Sequence, residues 1–85
     1  MSEMYDRKVE NEVKRIVCYV LEIDEESVDG SSNLFKLGLN SLDKIRIMVG
    51  LESEFKVEFT QDEDYMDDKF TNIREIVSLV NKYFI

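Results

Sequence analysis

The stretch LFKLGLNSLDKIRIMVGLESEF, residues 34–55, decides the fold. From Ser41 to Phe55 its apolar residues predict a helix: Leu42, Ile45, Ile47, Met48, Val49, Leu51 and Phe55. On a helical wheel they sweep roughly 220°, more than one packed face needs. Such a helix is either wrapped by the fold or half offered to a partner. Asp43, Arg46, Gly50, Ser53 and Glu54 form the polar remainder, and Lys44 falls inside the apolar arc near the N-terminal end. Gly38 allows a sharp turn or close approach of another chain just before the helix. Ser41 stands where loop becomes helix, a position at which serine is most often a cap.

Upstream, residues 23–40 read as a long connection, acidic at first and then turn-prone at DGSSN. It carries Ile23, Val28, Leu34, Phe35, Leu37 and Leu39, too many large apolar side chains for a disordered linker. Leu34, Phe35 and Leu37 are expected to pin it to the core. A connection of this length within a compact domain is uncommon and often functional. Before it, residues 3 to 22 place Tyr5, Val9, Val13, Ile16, Val17 and Val20 on one helical stripe, with Ser2 as a possible cap. Cys18 falls about opposite that stripe, beside Lys14 and Arg15, and reads as an incidental surface thiol.

Downstream, KVEFTQ alternates too briefly for a sheet of its own, and DEDYMDD reads as a short acidic segment of a helical turn or two. Its aspartates do not fall in the register of an EF-hand loop, which also needs a central glycine and a closing glutamate. A solvated acidic turn is the better reading. The last segment, TNIREIVSLVNKYFI, opens with Thr71 or Asn72 as cap and carries a stripe of Ile73, Ile76, Val77, Val80 and Phe84. Glu75 near its start and Lys82 near its end suit the helix dipole. The expected architecture is all-α: a small four-helix bundle of three principal helices, one short helix and a long first loop, in a single domain over residues 1–85.

The composition narrows the function. The chain has 85 residues, a formal charge of −8, no proline and no histidine. Few helix breakers favour helices over a turn-rich β fold. The acidic balance disfavours nucleic acid, whose phosphates it would repel. No apolar run reaches the length of a membrane span, and the charged N-terminus lacks the apolar core of a signal peptide. One cysteine forms no internal disulfide, which fits a cytoplasmic protein. Without histidine there is no Ser-His pair and no imidazole zinc site. The chain offers no cysteine cluster for a metal and no phosphate-binding glycine loop. A hydrolase lacks its residues, and no metal ligand set is expected. Ser41 remains, beside helix-start amides that favour negative charge.

Phe35, the Leu37-Gly38 pair, Asn40-Ser41-Leu42, Ile45, the Leu51-Glu52 pair and Phe55 together resemble the signature of acyl carrier proteins and the related peptidyl carrier domains. VKRIVCYVLEI and FTNIREIV resemble the first and last helices of that family, so the resemblance covers most of the chain. It implies a carrier-protein helical bundle that is not an enzyme. A phosphopantetheinyl transferase would esterify Ser41 with the 4′-phosphopantetheine arm of coenzyme A. The arm's thiol would then hold acyl or aminoacyl groups as thioesters, and partner enzymes would supply the chemistry. The implied partners are that transferase, a loading enzyme, and downstream synthase or transferase enzymes, with the carrier a stand-alone monomer. Asn40, Leu42, Asp43, Arg46 and Val49 occupy positions that meet these enzymes in the family.

Two departures from the pattern bear on the pathway. Asn40 stands where the family usually has aspartate; it can still cap the helix but removes a charge that a transferase would read. Positions 43 to 56 set Asp43, Glu52 and Glu54 against Lys44, Arg46 and Lys56, formally neutral where fatty-acid carriers are strongly acidic. Lys44 and Arg46 would meet the basic patches of fatty-acid enzymes with like charge. This points to a specialised lipid, polyketide or nonribosomal peptide pathway. The competing reading is a structural or regulatory protein of the same fold with Ser41 unmodified.

Overall fold

The computed structural model describes the backbone over residues 2–59 and 66–84 and the side chains over 7–59 and 66–83. Three α-helices form the frame: α1 (Ser2–Leu21), α2 (Ser41–Phe55) and α3 (Ile73–Asn81). Short 3-10 turns stand at Glu25–Ser27, Asp67–Phe70 and Lys82–Phe84. There is no strand among the described residues. The short fourth helix is expected on DEDYMDD; residues 62–65 of that segment lie outside the described residues, as do Thr60 and Gln61 of KVEFTQ, and its last two residues open the Asp67–Phe70 3-10 turn. Tyr5, Ser2 and Phe84, expected on the stripes or as a cap, have side chains outside the described set.

Helix α1 is the central element and packs against both α2 and α3. Its buried stripe is Val9, Val13, Ile16 and Val17. Opposite it lie Ile47, Met48 and Leu51 of α2, and Ile73, Ile76, Leu79 and Val80 of α3. Val20 and Val77, expected in the stripes, are only half-buried at their edges, and Leu79 takes a core place instead. Gly50 marks a close approach of α1 to α2: a Cβ there would come within 3.0 Å of Ile16 Cγ2. The absence of a side chain thus lets the two helices meet.

The ends of the helices are written in their caps. Glu22 (φ 58°) follows α1 and Lys56 (φ 57°) follows α2, both left-handed. The Ile23 amide then donates to the Cys18 carbonyl, and the Val57 amide to the Glu52 carbonyl, closing each helix with the wide turn of a Schellman end. After α2, the Phe59 amide donates to Glu52 Oε2 at 3.0 Å, and the buried Phe59 ring meets Tyr83 edge-on at 5.2 Å. At α3 the cap is Asn72, whose side chain accepts from the Glu75 amide; Thr71 belongs to the preceding turn.

Two expectations are corrected by the path of the first loop. Cys18 is not a surface thiol but is buried at 3% exposure. A wheel drawn for α1 alone counts that side as open. The chain reverses at Glu22, however, and brings the 3-10 turn at Glu25–Ser27 back against α1. Leu37 does not pin the loop: it is 41% exposed, while Leu34, Leu39 and Val28 are buried and Phe35 is half-buried against the core. Leu37 sits on the outside of a turn in which the Leu37 and Leu39 amides both donate to the Leu34 carbonyl. The loop is also tied to the start of α3. The Leu34 amide donates to the Thr71 carbonyl at 2.8 Å, and the Arg74 amide to the Gly30 carbonyl at 3.1 Å.

Candidate functional site

Ser41 is the first residue of α2 and is exposed. It is not the cap. Asn40 holds that position, with its side chain accepting from the Asp43 amide at 2.8 Å, while Asp43 Oδ2 accepts from the Asn40 amide at 3.3 Å. The N-x-x-D spacing is a capping box in which each residue satisfies the other's backbone. It settles the amides of Asn40 and Asp43. The Ser41 and Leu42 amides have no acceptor in the preceding turn of helix, and they point out of the positive end of the α2 dipole. The serine hydroxyl therefore has no structural task at the helix start.

The turn before Ser41 is shaped for approach. Asn33 Oδ1 accepts from the Phe35 and Lys36 amides and starts the bend. Gly38 then adopts φ +108°, a conformation that L side chains rarely take. Nothing lies within 4 Å of the place where its Cβ would stand. Its requirement for glycine is thus conformational, and the outer face of the turn is open.

An apolar face extends from this point along α2. Leu42, Ile45 and Val49 are 54%, 46% and 57% exposed. The wide apolar arc of α2 is therefore half covered by the core and half exposed. Of the polar residues expected to meet partners, Asp43 is partly buried and Asn40 is exposed, and both side chains are engaged in the cap. Arg46 is exposed, and among the described residues it has a long 4.0 Å pairing to Asp43.

Lys44 also departs from expectation. Its ammonium pairs with Asp67 Oδ1 at 2.7 Å and lies 5.5 Å from the centroid of the buried Phe70 ring. The stem packs inward, as its place within the apolar arc implies, and the head ties α2 to the Asp67–Phe70 turn. Sequence reasoning missed this pairing because Asp67 is remote in the chain. It missed the Asn40–Asp43 box as well, although the N-x-x-D spacing is a local signal; only Asn40 was read as a possible cap.

A groove of about 960 Å³ lies beside α1 and α2, bounded by Tyr19, Ile23, Arg46, Val49 and Gly50 among others. Cys18 borders it, but burial pushes its thiol pKa up, with Glu25 acting in the same direction. A thiol that is harder to ionise is a poorer nucleophile. Among the described residues no cluster of acidic or cysteine side chains is arranged to hold a metal ion, and no helix is long and apolar enough to cross a membrane. The model of the family described as "Phosphopantetheine attachment site" matches residues 11–80, a span that begins in α1 and ends in α3.

Proposed function

The chain belongs to the phosphopantetheine-attachment family of carrier proteins, whose members bear a covalently bound 4′-phosphopantetheine group, and from that premise we propose that Ser41 is its attachment point. The observation that carries the reading is the division of labour at the start of α2: Asn40 and Asp43 cap the helix, and Ser41 is left exposed with a hydroxyl that the fold does not use. The residues fit the group. The turn at Gly38 is open on its outer face, and the free amides at the start of α2 would favour the negative charge of a phosphate on Ser41. When bound, the arm supplies a thiol that holds acyl or aminoacyl groups as thioesters.

The protein on this reading is a carrier acted on by other enzymes: a phosphopantetheinyl transferase, a loading enzyme and downstream synthase or transferase enzymes. Leu42 and Val49 offer those partners apolar contact, and Arg46 beside them sets the sign of charge they must present. A cationic residue at this place suits acidic or neutral partner surfaces, and hence a specialised lipid, polyketide or nonribosomal peptide pathway over general fatty-acid synthesis. The experiment is loading from acetyl coenzyme A by a broad-specificity transferase, followed by neutral hydroxylamine. The chain should gain an acetylated arm and then lose only the acetyl group. A chain that takes up nothing would instead favour an interaction protein with Ser41 unmodified.

A further inference from the structure

Lys44, which pairs with Asp67, lies one helical turn from the proposed attachment point. Ser41 and Lys44 are three residues apart on α2, so their side chains are neighbours on the helix surface. A helical side chain leans back over the preceding turn, which directs the Lys44 stem toward the turn that holds Ser41. At its far end the same side chain holds Asp67 at 2.7 Å, with 13% of Lys44 and 79% of Asp67 exposed. The ammonium is thus held at the Asp67–Phe70 turn, on a stem that rises from the first turns of α2. Its head also lies over the ring of Phe70, which is fully buried.

We propose that Lys44 is a positioning residue that bridges the phosphodiester on Ser41 to Asp67, so that attachment of the arm tightens the Asp67–Phe70 turn. The inference rests on the reading of Ser41 as the attachment point. A phosphodiester stays ionised at neutral pH, and an ammonium can donate to more than one acceptor at once. Swinging Lys44 wholly to the phosphate would give up the Asp67 pair and the contact with Phe70, so sharing the cation is favoured over exchanging it. Asp67 and Ser41 are both exposed, so the two contacts are open to screening by salt. The turn then reports the state of a serine that lies elsewhere in the chain, and partner enzymes touching both would meet a firmer surface on the modified protein.

The test compares amide hydrogen exchange in the unmodified and modified protein by NMR, with intact mass to establish that the arm is attached. The Lys69 amide, which donates to the Met66 carbonyl at 3.0 Å, is the reporter. Attachment should slow its exchange by about threefold, ~0.65 kcal/mol, and the difference should shrink at high salt. Lys44→Met, which keeps the stem and removes the charge, should abolish the difference, and Asp67→Asn should do the same if the methionine variant fails to fold. Unchanged or faster exchange in the modified protein overturns the inference alone, as does slowing that survives both variants. No gain of mass overturns the attachment reading and the inference with it.

Discussion

Cys18 and Ser41 are the two nucleophile-bearing side chains that a sequence reader singles out, and their surroundings reverse what exposure on a helical wheel suggests about the first. Cys18 is covered because the chain doubles back at Glu22, a left-handed residue that the periodicity of α1 does not reveal. Burial raises its thiol pKa. The protonated thiol therefore favours the fold below the ordinary thiol pKa of 9.0, and that contribution is lost as pH rises through the higher folded value. Alkylation at pH 8 should be slower than for an exposed thiol by at least about tenfold and should become fast in denaturant, as labelling followed by mass would read. Cys18→Ser should leave loading of a modified chain unchanged; loss of loading with fold and arm intact would reopen a role for the thiol. Ser41 was identified by its neighbours in the chain, and what the sequence left open was whether it also capped the helix.

At the scale of the element, the α2 start separates capping from chemistry. Asn40→Ala removes the acceptor for the Asp43 amide and should cost about 1 kcal/mol. Ser41→Ala, one residue on, removes nothing the helix uses and should stay within ~0.5 kcal/mol. Urea unfolding of the two variants checks the contrast, and equal losses would mean that Ser41 shares the cap. The limits of α2 were legible because loop composition and helical period change together at residues 40–41. Half of its apolar arc proved open, as one of the two readings allowed, since Leu42, Ile45 and Val49 look outward while Ile47, Met48 and Leu51 look in. Local spacing could not choose between those readings, because coverage depends on where α1 lies. The same limit hid the Lys44–Asp67 tie, a contact distant in sequence, whereas the outward position of Leu37 follows from the turn closed on the Leu34 carbonyl. Signature positions of the family acquire plain tasks in this setting: Leu51 is core, and Glu52 holds the Phe59 amide.

Across the whole molecule, a chain of net charge −8 presents a cation beside its exposed apolar face. The sequence suggested that Lys44 and Arg46 together would repel the basic patches of fatty-acid enzymes. With Lys44 engaged by Asp67, the proposed discrimination would rest on Arg46. Arg46→Glu should raise turnover with a general fatty-acid enzyme, lower it with the cognate loading enzyme, and lose both effects at high salt. Changes smaller than about twofold in both assays would show that this charge does not select the partner. The fold class followed from three apolar stripes and the near absence of helix breakers, whereas the path of the first loop depended on contacts such as Gly30 with Arg74 that no local pattern displays. The central claim is that the chain carries its arm on Ser41. The most direct measurement is intact mass after incubating wild type and Ser41→Ala, side by side, with coenzyme A and a broad-specificity transferase. The account predicts the mass of one phosphopantetheine group on the wild type and none on a variant that remains folded. A wild type that gains nothing, or a group still added to Ser41→Ala, would contradict it.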